Sequence, residues 1–568
     1  MKKFVFVAAL AVCAVTMISL SSAQDIRSMA ATTRGGAANF DTQVREVNMA
    51  AIPQATASQI TPQIQMLRPR DGRTDAQFAE MKRQAAQLAG SGSGNGMLRN
   101  AAPAPAGGST FLHSPNAFFA QSQVCCTPSD MAIAVGPTYV AQFVNTYIAV
   151  YTKTGALQTG YPKSADTFFG LPGGTYTTDP RGFYDWTNGR YVFVMLTESS
   201  PKGSNNVGEL MLAVSATSNP SGSWHVYKWQ VGNTSECPDY PTLGHDTDNW
   251  GKNGTKGAIY IGINQFSNNC KGGLIQNYMF VIPKDKPYAG TGIPFWYQYG
   301  LSVNGLLVDT LQPSNPVMQG DRPSATYLTN TFNINFNCGA GCGGLTIWSV
   351  NNSAAFTTGG PGPTFSGAVV GTSHTYYYPP NANQPGGAQT IETIDTRITG
   401  SMYYHAGDLW GSFETGVSGV KGAHQIWFDY HPILDVNGNI TGGDERQEDC
   451  FVCGGFGANG SSYFATLSPD SENNVTMTYT FSDDSTYPEY VVTGRRVSFG
   501  DTLMNGVGSY LAGGSGYYGW YRWGDYSAVA PDNTKASNPL MWTAGDFDNG
   551  GNWGTVISSQ SYTGPKDQ

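Results

Sequence analysis

The chain has 568 residues, with 71 glycines, 32 prolines and 12% aromatic residues against only 12% charged ones. Helical proteins use far more Lys, Glu and Arg, so this composition describes many short strands with tight turns and points to an all-β class. The formal net charge of −9, with no clustered Lys/Arg stripe, argues against a nucleic-acid or anionic-membrane partner and favours neutral or cationic ones.

Lys2 and Lys3, an apolar run over 4–20 and Ser21-Ser22-Ala23 before Gln24 have the order of a secretory signal peptide, residues 1–23, cut after Ala23. Cys13 lies inside the apolar run without the small-residue context of a lipid-attachment site, so release to an extracellular or periplasmic location is expected. No later stretch approaches the ~18 to 20 apolar residues that cross a bilayer, and no membrane span is expected. Residues 24–108 have linker composition, ending in Gly90-Ser-Gly-Ser-Gly-Asn-Gly96 and Ala101-Ala-Pro-Ala-Pro-Ala106, and should be mostly disordered. The exception is 74–89, where Thr74 and Gln77 have capping-box spacing and Phe78, Met81, Ala85 and Leu88 share one helical face.

From 109 onward, apolar and polar residues alternate in strands such as Met131-Ala-Ile-Ala-Val135, Tyr139-Val-Ala-Gln-Phe143 and Tyr147-Ile-Ala-Val-Tyr151, each closed by a turn. Blocks of roughly 40 to 70 residues recur, opened by a loose motif: Asp179-Pro-Arg181, Asp239-Tyr-Pro241, Asp321-Arg-Pro323, Asp395-Thr-Arg397 and Arg522-Trp-Gly-Asp-Tyr526. A four-stranded sheet cannot cover both faces alone, so such units pack face to face around an axis. The expectation is a single β-propeller over 109–568 with about seven (six to eight) four-stranded blades. They are placed near 128–170, 175–233, 237–300, 310–386, 389–443, 445–500 and 505–563, with a strand at 109–113 available to complete the last.

Eight cysteines remain once Cys13 leaves, an even number suited to an oxidising compartment. Short separations make Cys338/Cys342 and Cys450/Cys453 local clamps, with Cys237/Cys270 a third pair. Adjacent Cys125 and Cys126 bridge each other or pair elsewhere. The alternative, zinc on two close Cys pairs, is disfavoured by secretion and by the lack of a His at finger-like spacing.

Tyr184-Asp185, Gly189-Arg-Tyr191, Ala213-Val-Ser-Ala-Thr-Ser-Asn-Pro-Ser-Gly-Ser-Trp224, Asp239-Tyr-Pro-Thr-Leu-Gly244, Asp321-Arg-Pro-Ser324, Arg522-Trp-Gly-Asp-Tyr-Ser527 and Asn552-Trp-Gly-Thr555 join Asp179-Pro-Arg181 in a wider pattern. In these segments the chain resembles a family of secreted bacterial sialidase-like propellers, mostly of unassigned activity. Thr217-Ser-Asn-Pro-Ser-Gly-Ser-Trp224 looks like a degenerate Asp-box turn, with Asn219 in place of Asp and Gly222 displaced by one. In that family this turn lies away from the active site, so it speaks for architecture only.

Arg181, Arg322, Arg397 and Arg522 each fall close to an Asp in a blade-opening motif. A guanidinium there can bridge a carboxylate and the carbonyls of a neighbouring blade, fixing the inter-blade angle. Alternatively, these arginines with Tyr526 grip a substrate at the axial funnel while carboxylates do acid-base work. Sialidases use three arginines, a Tyr/Glu nucleophile pair and an acid Asp, for which Glu489 beside Tyr490 is a candidate here; the motifs themselves nominate Asp239, Asp321 and Asp525 as the acidic set, with Arg181, Arg322 and Arg522 as orienting groups. Tyr403 is a further candidate. Glycoside hydrolysis requires two carboxyl groups roughly 5 to 9.5 Å apart, a distance no sequence gives.

His245 and His405 lie in polar loops, where an imidazole serves as a lyase base or simply hydrogen-bonds. Asp435-Val-Asn-Gly-Asn-Ile-Thr441 spaces oxygen ligands as calcium loops do, but Gly438 is early and Arg446 stands at the twelfth position, so a plain hairpin fits better. Asp546-Phe-Asp-Asn-Gly550 is a similarly weak calcium signal. No metal site and no cofactor are assigned. Serine-nucleophile, Walker and dinucleotide signatures are not found. Two functions follow: an extracellular propeller that binds, and as a glycoside hydrolase or polysaccharide lyase cleaves, a glycan at its funnel; or a non-catalytic propeller that recognises a protein or surface polymer. Oligomeric state is not legible.

Overall fold

The computed structural model describes residues 29–30, 34–39, 44–55, 75–90 and 113–562, apart from 125, 198–207, 248–256, 269, 271, 388, 452, 454–458, 498–503, 505–508 and 535–539. The signal segment 1–23, the Gly/Ser and Ala/Pro stretches of 91–106, Thr74 and Cys125 lie outside these residues. Among the described residues the chain is mostly β, and no helix is long and apolar enough to cross a membrane.

Seven antiparallel four-stranded units follow one another among the described residues, here numbered I to VII. Unit I comprises Ala132–Val135, Tyr139–Phe143, Tyr147–Thr152 and Lys163–Ser164; unit II, Thr177–Asp185, Arg190–Thr197, Glu209–Ser215 and Ser223–Gln230. Unit III comprises Glu236–His245, Ala258–Ser267, Leu274–Pro283 and Pro294–Tyr299; unit IV, Gln312–Pro316, Thr326–Thr331, Cys342–Asn351 and Thr364–Tyr376. Unit V comprises Met402–His405, Asp408–Val417, Val420–Leu434 and Ile440–Phe451; unit VI, Ser461–Pro469, Val475–Ser482, Glu489–Arg495 and Ser509–Ala512. Unit VII takes Ala528–Asp532, Leu540–Asp548 and Trp553–Ser561 from the C-terminal end and its outer strand, His113–Ser122, from far earlier in the chain. Units IV and V merge into one sheet, because their first strands pair in parallel, Ser314 opposite Met402 and Asn315 opposite Tyr403.

The first strand of each unit touches the first strand of the next, and that of VII touches that of I, so the first strands close a ring. The strands are buried on both faces and therefore read as near-continuous apolar runs, as in Tyr191-Val-Phe-Val-Met-Leu196. An apolar cluster fills each interface between successive units. Between I and II, Phe143 stacks on Phe193 with centroids 3.8 Å apart, against Trp224 and Phe168. Cys237–Cys270, Cys338–Cys342 and Cys450–Cys453 are joined, with Cα separations of 5.4, 4.9 and 5.4 Å.

Within 24–108, helix α1 (Asp75–Gly90) packs on unit V through Phe78, Met81 and Ala85. Other segments of linker composition are ordered as strands: Met29–Ala30 pairs with the outer strand of IV, Arg34–Asn39 with that of III, and Arg45–Asn48 with that of II. Edge pairing uses backbone N–H and C=O groups, which every non-proline residue supplies, so a Gly/Ala-rich segment can pair without an amphipathic pattern.

Candidate functional site

In or ahead of six first strands a non-glycine residue lies in the left-handed region: Asp130, Thr310 and Ile394 before the strand, and Asp179, Tyr240 and Phe464 within it, with φ between 38° and 57°. Each such residue costs on the order of 1–3 kcal/mol and persists where its surroundings over-determine it. Here side-chain oxygens receive the backbone N–H. Asp179 N–H donates to Asn145 Oδ1 at 2.8 Å, Thr310 N–H to Asn264 Oδ1 at 2.8 Å, Tyr240 N–H to Asp179 Oδ2 at 3.2 Å, and Phe464 N–H to Glu414. At unit VII, Asp525 N–H donates to Asp130 Oδ1 at 2.6 Å. These residues lie on the first strands that close the ring or on the connections leading into them.

Arg181, Arg397, Arg522, Asp525 and Tyr526 come together there, none more than 5% exposed. Arg181 donates to the carbonyls of Pro241 (3.0 Å) and Thr399 (2.8 Å), and its Cζ lies 3.4 Å from the Tyr526 ring centroid and 5.0 Å from that of Tyr240. Arg397 grips Asp395 with two bonds of 2.7 and 2.6 Å, its Cζ 4.5 Å from the Tyr240 centroid. Arg522 donates to Asp525 Oδ1 at 2.9 Å and lies 3.4 Å from Glu392. Tyr526 donates to Pro180 O at 2.9 Å, and Tyr240 to Asp525 O at 3.3 Å. The bonds of Arg181, Tyr240 and Tyr526 run between units II, III and VII and the connection into V, and the Arg522–Glu392 contact links the connections into VII and V, whereas Arg397–Asp395 and Arg522–Asp525 are local pairs.

The structure places the other nominated residues elsewhere. Asp321 accepts from Met318 N–H at 2.8 Å and meets His405 Nδ1 at 3.1 Å, while Arg322 is exposed and donates to Gln319 O. Asp239 is half-buried and sits opposite Asn264 on the first strand of III. Glu489 and Tyr490 lie on the third strand of VI. Tyr490 is buried between VI and VII, donating to Thr543 Oγ1 at 2.5 Å. Burial, reinforced by Asp483, pushes the Glu489 carboxyl up to about 7. Tyr403 bonds the Val529 carbonyl, joining V to VII. His245 stacks on Phe183 with centroids 4.0 Å apart and faces Lys284, whose ammonium meets Asp185 at 2.7 Å. Burial holds this imidazole down at about 3.

Three central carboxyls escaped the motif search because no Arg stands beside them. Burial raises Asp130, with Asp525 and Asp179 adding like charge; burial raises Asp309 to about 6; and burial raises Glu414 well above the usual carboxylate range. Asp130 and Asp309 stand at or beside a left-handed residue ahead of a first strand, and Glu414, on the second strand of V, accepts from the N–H of left-handed Phe464, relations that become visible only once the units are aligned. The sequence reading also passed over Tyr517 and Trp520, which are exposed on the connection entering unit VII while their neighbour Tyr518 is buried. Tyr518 exchanges two hydrogen bonds with Gln384, and Glu392 N–H donates to Tyr521 O, pinning this connection to the one that leads into V.

Cavities occur away from the centre. One of about 580 Å3 lies between α1 and the loop of Ile334, Phe336 and Asn337, and one of about 780 Å3 lies beside Arg45, Phe169 and Trp229. Among the described residues no three His, Cys, Asp or Glu side chains gather as metal ligands. In the 435–441 turn the Asp435 carboxylate accepts from Asn437 N–H at 2.8 Å, Asn439 N–H at 2.9 Å and the Asn439 amide at 3.0 Å, an Asx-type hairpin.

No protein-family model matches the chain, and no curated protein does. Solved structures similar to it include the parainfluenza virus 5 hemagglutinin-neuraminidase ectodomain, 8% identical over 80% of this chain and 84% of that one, with a TM-score of 0.32. Others are the Trypanosoma rangeli sialidase (9%, 67% and 53%, 0.29) and a GH43 endo-arabinanase from Bacillus licheniformis (14%, 55% and 96%, 0.21). Likeness at this level carries no argument about chemistry, which rests on the geometry above.

Proposed function

We propose that the seven units are the blades of a single β-propeller and that the protein is an extracellular binding module for a glycan or similar polymer, with its central Asp/Arg set serving as struts between blades. The observation that supports this reading is the occupation of the central guanidiniums. Arg181, Arg397 and Arg522 are buried, and carbonyls, carboxylates and tyrosine rings of the protein itself engage most of their donors, which favours a structural role over an open grip on a substrate carboxylate even with Arg181 Nη2 and Arg397 Nη1 left without an acceptor. Neither Glu489 nor Tyr490 approaches this set, so a nucleophile pair is not assembled there.

Recognition falls instead to the connections that cover the same end of the ring. Tyr517 (37% exposed) and Trp520 (43% exposed) present aromatic faces there, on a backbone held by Gln384 and Glu392. Rigid aromatic rings offer apolar area to sugar faces at low entropic cost. The test is retention of the full chain on immobilised sialosides, neutral polysaccharides and uronic-acid polymers, with product release measured alongside. Retention without product release, lost in Trp520→Ala and Tyr517→Ala but kept in a folded Asp525→Asn variant, is expected. Product release that disappears in Asp525→Asn with folding intact would establish an enzyme and overturn the proposal.

A further inference from the structure

The described residues of 29–55 lie along the rim against the order of the units. Met29–Ala30 lines the edge of IV, Arg34–Asn39 that of III and Arg45–Asn48 that of II, and Ala55 N–H donates to Pro162 O beside unit I. The links of this arm differ in anchorage. Val47, Met49 and Ile52 are buried in the core between I and II, Arg45 donates to Phe168 O at 3.1 Å, and the Gln54 amide to Tyr161 O at 2.8 Å. The stretch Arg34-Gly-Gly-Ala-Ala-Asn39 brings two glycines and two alanines, of which Gly35 and Ala37 are exposed and Gly36 and Ala38 only half-buried. It pairs with the outer strand of III over its whole length, and Ala38 packs against the core between II and III.

The 34–39 strand covers Pro294-Phe-Trp-Tyr-Gln-Tyr299, four aromatic residues in six. Uncovered, this strand would present a free row of N–H and C=O groups beside a dense aromatic surface, the combination that invites pairing with another chain. The edge is also selective. A Cβ at Gly35 would lie 2.6 Å from Gln298 Oε1, 2.7 Å from Trp296 Nε1 and 2.9 Å from the Tyr297 carbonyl oxygen, so the seat favours glycine at that position, and one at Gly36 would crowd the Tyr297 hydroxyl at 3.0 Å. This chain's own 34–39 segment meets that requirement, and a second copy carries the same segment.

We propose that the outer edge of unit III is a strand-acceptor site, filled within one chain by residues 34–39 and filled by the same residues of a second copy when the chain's own strand is displaced. The protein then self-associates by exchanging this strand, and the arm in place keeps it monomeric.

The experiment uses the full chain carrying Gly35→Val and Gly36→Val, which denies the strand its seat while leaving the 45–55 anchors intact. A labelled peptide of residues 29–48 is expected to bind this variant at one per chain, about ten-fold or more tighter than it binds the unaltered protein. A peptide with the same two valines is expected not to bind. A folded variant that ignores the native peptide overturns the proposal. Should the variant fail to fold, energy transfer between donor- and acceptor-labelled preparations of the unaltered chain decides. Transfer that grows at high protein concentration and is suppressed by excess native peptide supports strand exchange, and its absence, or its persistence in the presence of the peptide, refutes it.

Discussion

Asp546 offers a direct test of how the ring tolerates buried acids. Its carboxyl is 2% exposed on the second strand of unit VII, with Ser129 Oγ 2.5 Å from Oδ2 and no hydrogen-bond partner at Oδ1. Burial, against which the Ser129 bond works only in part, pushes it from 3.8 up to about 8. A folded-state value above the unfolded one means that the folded protein keeps a proton the unfolded chain releases. The associated stability is therefore complete below about pH 4 and is lost progressively as pH rises to about 8. At about 1.4 kcal/mol per unit the gap sets a ceiling of roughly 6 kcal/mol on that loss. Asp546→Asn keeps the shape and removes the titration. Guanidinium unfolding followed by tryptophan fluorescence from pH 4 to 9 should find the two proteins similar at pH 4 and the variant more stable at pH 9, by on the order of a few kcal/mol. Parallel stability curves across the whole range would refute the reasoning.

Three further outcomes are expected. Phe143→Ala removes a ring stacked on Phe193 in the core between I and II, and should lower unfolding free energy by about 3–5 kcal/mol in denaturant titration. Burial disfavours the His405 imidazolium, yet the hydrogen bond it donates to Asp321, the charge of that carboxylate and smaller contributions from Ser471 and Asp470 together outweigh it and raise the pKa above the usual histidine value, so this pair stabilises the fold at acidic pH and weakens as pH rises through the raised value. Asp321→Asn should move the His405 titration to lower pH in proton NMR. Replacing Cys237 and Cys270 together by Ser reopens a loop of 33 residues and should cost about 2–4 kcal/mol, read from the denaturation midpoint under non-reducing conditions.

Local pattern sufficed for the elements. The segments at 131–151, expected to alternate, are found as the strands Ala132–Val135, Tyr139–Phe143 and Tyr147–Thr152, buried along nearly their whole length, and the 3.6-residue spacing of Phe78, Met81 and Ala85 as α1. Strand and helix periodicities follow from covalent geometry and one buried face, so a single sequence displays them. The short spacings Cys338/Cys342 and Cys450/Cys453 were legible for the same reason. What the Asp/Arg motifs do was not. Asp179-Pro-Arg181 and Asp321-Arg-Pro323 look alike as text, yet Arg181 is buried between two tyrosine rings and Arg322 faces solvent.

That difference arises because the ring brings together groups hundreds of residues apart, such as Asp130 with Asp525 and Arg181 with Thr399, and the burial they share sets their charge states. The rim arm shows the converse. Its strands pair through the backbone, whose hydrogen-bonding groups are nearly the same for every residue, so composition read linker where edge pairing supplied order. The sequence by itself determined the strands, the turns and the stock of Asp, Arg and aromatic groups, because these depend on neighbours along the chain. Only the tertiary structure decided which of those groups face one another and which remain open to a partner, because contact and desolvation depend on neighbours in space.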